Sequence, residues 1–300
     1  MQTLKATLIV MIALAAVTGC KQQSGESGEK ATKSAEAADE SAQPQLVHQW
    51  STDSVMKVPE SVCYDPQNEV LYVANIQGKP TEKDGKGFIS KISTEGEVIN
   101  LEWVSGLDAP KGMGVYDGKL YVTNIDEIVE IDIEEGAVSN RYPLEGAKFA
   151  NDIAINQQGV VFASDMSEGT VYSLKDGNAQ IWLKSDKLKS PNGLFTTESE
   201  LMIGIDGAVL KAAYGSDQLT EHIPNTGGID GLEAVDDEFF IKSDWAGHIH
   251  LIHPDKEKML LLNTADDNVQ AADIEYVPEL KMLYVPTFHD DRVMAYELKM

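Results

Sequence analysis

Cysteine is almost missing from this 300-residue sequence. Cys20 and Cys63 are its two examples, with no Cys-x-x-Cys pair and no Cys/His spacing of the zinc-binding kind. A disulfide-stapled scaffold and a structural zinc site are both excluded, because two cysteines permit one bridge at most. Positive charge is scarce as well: 24 Lys and Arg face 49 Asp and Glu, a formal net charge of −25. Such a chain repels phosphate backbones over its whole surface, so no nucleic-acid partner is expected. There is no Gly-x-Ser-x-Gly elbow, phosphate-binding glycine loop or dinucleotide fingerprint, which removes the serine-hydrolase and nucleotide readings. Long apolar runs reduce to one, Ala6 to Val17, broken by Thr7 and too short to span a bilayer comfortably.

What is present begins with that run. It follows Lys5 and ends in Val17-Thr18-Gly19-Cys20, the arrangement of an export signal. The four-residue ending is similar to a bacterial lipobox, and that resemblance implies diacylation of Cys20, which becomes the first mature residue. Acyl chains there would anchor an otherwise soluble protein, with Cys20 its sole membrane contact. Lys21 follows where an Asp would retain a lipoprotein at the inner membrane. The sorting pattern therefore implies the outer membrane, facing the periplasm, in a Gram-negative host. Between Lys21 and Gln45 there is no Leu, Ile, Val, Met or aromatic residue to offset the entropy of ordering. The expected organisation is a signal and lipobox over 1–20, a disordered tether over 21–45 and one folded domain over 46–300. With Cys20 acylated, Cys63 has no partner and is expected to be a small packed thiol.

The folded part repeats itself. Leu71-Tyr72-Val73-Ala74-Asn75 returns as Leu120-Tyr121-Val122-Thr123-Asn124, Val161-Phe162-Ala163-Ser164-Asp165, Leu201-Met202-Ile203-Gly204-Ile205, Phe239-Phe240-Ile241-Lys242-Ser243 and Leu283-Tyr284-Val285-Pro286-Thr287. Spacings near 40 residues suit four short strands per unit, as in a propeller blade. About ten residues before each block, a polar residue opens an alternating segment: Glu60, Lys111, Asn151, Asn192, Asp230 and Asp273. These segments read as the innermost strand a and the blocks as strand b. Strand c is exemplified by Phe88–Ile92, Thr170–Leu174 and Arg292–Tyr296. Strand d is exemplified by Ile99–Val104, Ala179–Leu183, Leu219–Ile223 and Met259–Leu262. The sixth unit has no strand d after its strand c. Leu46-Val47-His48-Gln49-Trp50 resembles Asn100-Leu101-Glu102-Trp103, so the N-terminal strand is expected to close the last blade. An all-β, six-bladed propeller follows.

In a propeller, strand a starts on the face where strand b ends. The six openers should therefore converge on the mouth of the axial channel. Glu60, Asn151, Asn192, Asp230 and Asp273 offer hard oxygen ligands, which suit Ca²⁺ or, secondarily, Mg²⁺, and not zinc or copper. Carboxylates crowded on an axis would otherwise repel and raise one another's pKa. Lys111 has two readings: it binds a substrate carboxylate, or it neutralises the ring in place of a metal. Asn75, Asn124, Asp165, Asp244 and His289 should sit at the rim. Asn124 and Asp165 are candidates for substrate contact or for turn formation after a strand, and His289 for a proton shuttle. Asn-Gly and Asp-Gly at Asn192 and Asp230 are also ordinary turn dipeptides. His248 and His250 share one side of a strand c and are expected at the surface. The polar insertion Ile76–Gly87 is long enough to cover a site.

Pro-Glu-Ser at Glu60, Asn-Asp at Asn151, Pro-Asn-Gly-Leu at Asn192 and Ile-Asp-Gly-Leu at Asp230 resemble the metal site of the senescence marker protein/gluconolactonase/luciferin-regenerating-enzyme-like family. The likeness covers essentially residues 46–298. It implies a six-bladed propeller with one divalent metal on the axis, and hydrolysis of lactones or related esters and phosphoesters. By that resemblance Glu60, Asn151, Asn192 and Asp230 would hold the metal, and Asp230 would also serve as base or nucleophile. The family's sugar lactonases carry an Arg two residues before the central Asn, and this chain has Phe149 there. The competing readings are a propeller that only binds or assembles and a sensor that uses the ion without turnover.

Overall fold

The computed structural model describes residues 43–300. The expected signal, Cys20 and residues 21–42 of the expected tether lie outside the described residues. Four-stranded antiparallel sheets account for every strand described, six sheets in all. With strands numbered along the chain, the first blade holds β2 (Pro59–Asp65), β3 (Val70–Asn75), β4 (Gly87–Ser93) and β5 (Val98–Leu107). The second holds β6 (Pro110–Tyr116), β7 (Lys119–Asn124), β8 (Glu127–Asp132) and β9 (Ala137–Pro143). The third is β10 (Ala150–Ile155), β11 (Val161–Asp165), β12 (Thr170–Lys175) and β13 (Asn178–Lys184). In the fourth are β14 (Leu194–Thr196), β15 (Glu200–Ile205), β16 (Ala208–Ala213) and β17 (Thr220–Pro224). The fifth comprises β18 (Leu232–Ala234), β19 (Phe240–Asp244), β20 (His248–His253) and β21 (Lys256–Asn263). The sixth is β22 (Glu275–Val277), β23 (Met282–Pro286), β24 (Val293–Lys299) and, from the other end of the chain, β1 (Gln45–Ser51). β1 runs antiparallel to β24, with Leu46 opposite Leu298 and His48 opposite Tyr296. The ring is closed by the N-terminal strand, one residue earlier than the sequence reading placed it.

The inner strands touch in the order β2, β6, β10, β14, β18, β22 and back to β2. That closed circuit makes the arrangement a six-bladed propeller. Its core lies in the slots between blades. Along β3, Leu71 and Val73 pack into the slot shared with blade six, while Val70, Tyr72 and Ala74 pack into the slot shared with blade two. Successive side chains of a strand point to opposite faces, and both faces of each blade are covered. The repeated blocks therefore read as continuous apolar runs instead of alternating ones. The outermost strands face solvent and alternate, as in Ala137–Pro143. Cys63 is buried in the slot between blades one and two and has no disulfide among the described residues. No helix among the described residues is long and apolar enough to cross a membrane.

Toward the axis the packing becomes too tight for side chains on one face. A Cβ added to Gly112 would meet Asp152 Cα at 2.5 Å, and one added to Gly193 would meet Asp230 O at 2.7 Å. At Gly231 it would meet Ile274 N at 2.5 Å. Each of these glycines follows a ring residue and abuts the next blade's inner chain. Gly193 and Gly231 do not have the positive φ of a turn glycine, so Asn192-Gly and Asp230-Gly mark a close approach of backbones and not a hairpin turn. Gly231→Ala should destabilise the fold by about 1–3 kcal/mol, read as a lower urea midpoint at unchanged slope.

Candidate functional site at the mouth of the axial channel

Bulges in the inner strands set the site. Pairing between β2 and β3 shifts register between Pro59 and Ser61, between β6 and β7 from Pro110 to Met113, and between β10 and β11 from Ala150 to Ile153. Glu60, Lys111 and Asn151 occupy those irregularities, where a bulge re-aims a side chain. In the other three blades the ladder starts only beyond Asn192, Asp230 and Asp273, which are anchored by backbone bonds instead: Asp230 N–H donates to Ser243 O at 2.9 Å and Asp273 N–H to Glu60 O at 2.9 Å. Hydroxyls late in strand b brace adjacent blades. Ser243 Oγ donates to Ala272 O at 2.6 Å, and Thr123 Oγ1 donates to Asn151 O.

Glu60, Lys111, Asn151, Asn192 and Asp230 all line one cavity of about 550 Å³ at this mouth, together with Phe149 and His289. All five ring residues are nearly fully buried. Asn192 Nδ2 donates to Asp230 Oδ1 at 2.8 Å, and Asn151 Nδ2 contacts Met166 Sδ at 3.0 Å. Glu60 Oε2 is buried and has no hydrogen-bond partner among the described residues. Burial pushes the Glu60 carboxyl well above the ordinary value; Asp230 and Asp273 push the same way and Lys111 opposes them. Burial likewise raises Asp230 to about 6, against the hydrogen bond from Asn192. Below them Asp152 and Glu275 are raised to about 8, again chiefly by burial. The axis is thus a column of carboxylates that the protein leaves largely uncompensated.

Lys111 does not close that charge gap by direct contact. Its Nζ donates to Ala109 O at 3.0 Å and lies 4.8 Å from the centroid of the Phe149 ring. Burial lowers its pKa to about 8, although Glu60 and Asp165 pull it upward. His289 is exposed, on a short 3-10 turn, with its ring 6.0 Å from that of Trp245.

Three expected site residues are placed elsewhere. Asn124 Oδ1 accepts the N–H groups of Asp108 and Ala109 at 3.0 and 2.9 Å. Asp165 Oδ2 accepts from Lys148 N at 2.7 Å and its Oδ1 from Ser167 and Glu168. Both are spent on holding loops, those leading into strand a at Asp108–Ala109 and Lys148 and the one leaving strand b at Ser167–Glu168, and neither lines the cavity. Asp273 is also outside the lining; its Oδ2 accepts from Ser61 Oγ at 2.7 Å. Burial first, then the nearby Asp152, Asp230 and Glu275, hold its carboxyl well above the ordinary value, against the hydrogen bond from Ser61.

No protein-family model matches the chain, and no curated protein matches it. Solved structures do. A provisionally named gluconolactonase is 16% identical with a TM-score of 0.61, over 86% of this chain and 93% of its own. A streptogramin B lyase is 10% identical with a TM-score of 0.59, over 86% and 98%. The WD40 propeller domain of Doa1 is 10% identical with a TM-score of 0.57, over 79% and 77%. What is shared is the propeller. At these identities the likeness shows the fold alone, and any chemistry has to come from the residues of the mouth.

Sequence reasoning missed the walls. The residue directly after strand b's polar end is Ile76, Met166 or Trp245 in blades one, three and five, and Phe288 stands at the matching place in blade six; all four line the cavity. That recurring apolar residue was a visible signal. A second omission is Lys242, fully buried, whose Nζ donates to Gly228 O at 3.0 Å and Asp244 Oδ2 at 3.1 Å. Asp244 also contacts His248 Nδ1 at 3.0 Å, so His248 reaches a residue of the cavity instead of only the outer surface. Burial would raise Asp244, but Lys242 and the hydrogen bonds outweigh it and hold the carboxyl below its ordinary value.

Proposed function

We propose that this protein is a divalent-cation-dependent hydrolase of lactones or related esters, with Glu60, Asn151, Asn192 and Asp230 holding Ca²⁺ or Mg²⁺ at the axial mouth. The observation that carries the reading is the unpartnered, buried Glu60 Oε2 among oxygen donors that line one cavity. A buried carboxylate without a partner is costly, and a hard cation would relieve it. The donors fit such an ion by type. Among the described residues no three His, Cys, Asp or Glu side chains group as metal ligands, and the proposed donor set relies on the carboxamides of Asn151 and Asn192 beside the two carboxylates. A propeller that merely assembles with other proteins has no need of a carboxylate column opening into a cavity at the mouth.

A cation bound there would supply Lewis-acid polarisation of the substrate carbonyl. The chain supplies the rest. Asp230 accepts the proton of the attacking water and returns it to the alkoxide released when the acyl C–O bond breaks. Asn192 holds the Asp230 carboxyl in place through its 2.8 Å hydrogen bond, and the apolar walls keep bulk water away from the carboxylates. His289 at the rim passes the proton of the product acid to solvent. In the assay, the chelated protein should be inactive on a panel of lactones and aryl esters, and Ca²⁺ or Mg²⁺ should restore turnover. Full activity after chelation would refute the reading. We place the enzyme on the cell envelope, anchored through acylated Cys20. Incorporation of labelled palmitate, lost in Cys20→Ser, is the corresponding test.

A further inference from the structure

We infer that the substrate is a lactone or ester carrying an apolar alkyl or aryl substituent, and not a polyhydroxylated sugar lactone. This rests on the hydrolase reading and names the class of molecule the same cavity takes. Ile76, Pro80, Phe149, Met166, Trp245 and Phe288 form its walls, and its polar atoms converge at the axis. Glu60 Oε2 is left for the cation, and three other polar side chains of the lining are already engaged with the protein. Lys111 donates to Ala109 O under the Phe149 ring, Asn192 to Asp230, and Asp244 is held by Lys242 and His248. A ring with several hydroxyls would strip each of water without offering it a partner, and buried polar groups left unpaired are selected against. An alkyl or aryl group instead gains from covering these walls. The volume of about 550 Å³ is that of a pocket for a small molecule and not a peptide groove.

The test uses the full chain with Ca²⁺, γ-lactones bearing side chains of increasing length, and glucono-δ-lactone. Binding is followed separately with the matching non-hydrolysable γ-lactams, through the fluorescence of Trp245, the one tryptophan that lines the cavity. The expected kcat/KM rises about fourfold for each methylene enclosed, with glucono-δ-lactone about tenfold or more below the longer members. Trp245→Ala, at a half-exposed position (49%), should flatten the series without unfolding the chain. Equal or faster hydrolysis of glucono-δ-lactone would overturn the inference and leave the hydrolase reading standing. Lactam binding that strengthens with chain length, without hydrolysis of any lactone, would sustain apolar recognition and overturn the hydrolase reading. Neither binding nor turnover would overturn both.

Discussion

Asp230→Asn should lower kcat/KM for lactone hydrolysis by about 10²–10⁴-fold, the usual contribution of a positioned general base, while the protein stays folded. The separation follows from the geometry. Asparagine keeps an oxygen where Asp230 Oδ1 now accepts from Asn192 Nδ2 at 2.8 Å, so the bond that fixes the side chain survives. What disappears is the capacity to take up a proton and one charge toward a cation. Because burial already penalises the charged form of Asp230, an amide should leave the cation-free protein as stable as before or slightly more so. Stabilisation by added Ca²⁺ should weaken in the same variant. Unchanged activity with an unchanged response to Ca²⁺ would remove Asp230 from the mechanism.

The second large effect concerns pH. Carboxyls raised by folding bind protons in the native state that the unfolded chain has already released, so stability falls as pH rises through the interval between the two pKa values. For Asp230 that interval runs from about 4 to about 6, and for Asp152 and Glu275 it extends to about 8. Asp230 alone corresponds to about 3 kcal/mol across its interval. Glu60, Asp273 and Glu233, all raised mainly by burial, add in the same direction. Chelated protein should therefore melt at a lower temperature at pH 8 than at pH 5. A cation competes with protons for the same oxygens, so Ca²⁺ should bind poorly at pH 5 and well at pH 8. At a concentration one hundred times its Kd it should contribute about 2.7 kcal/mol, a rise of roughly 5–10 °C in Tm for a domain of this size. A Ca²⁺ effect independent of pH, or none at all, would remove the ion from this column of acids.

Both effects depend on a mouth that was only partly legible. The ring positions of Glu60, Lys111, Asn151, Asn192, Asp230 and Asp273 could be read because a polar residue recurs before an alternating segment at blade spacing. Their division of labour could not. Asn124 and Asp165 carry the same side-chain chemistry as Asn151 and Asp230, but they end strand b instead of opening strand a, and the groups they meet there are backbone N–H donors. For Asn192-Gly and Asp230-Gly a turn stayed open beside the metal site because glycine signals a turn locally; at the axis it signals the proximity of another blade. The approach of Phe149 to Lys111, and the pairing of Lys242 with Asp244, join charge and ring in ways that periodicity does not encode.

The sequence by itself determined the propeller: the number of blades, the order of strands within each, and the use of Leu46–Trp50 to close the ring. Those follow from local patterns repeated at a fixed interval, since each blade is built from contiguous chain. Only the tertiary structure decided which polar side chains meet, because the mouth gathers residues more than two hundred positions apart, from Glu60 to His289, into one cavity. It also decided that the axis is short of positive charge. A carboxylate's cost depends on burial and on the charges around it, and both are properties of the closed ring and not of any one blade.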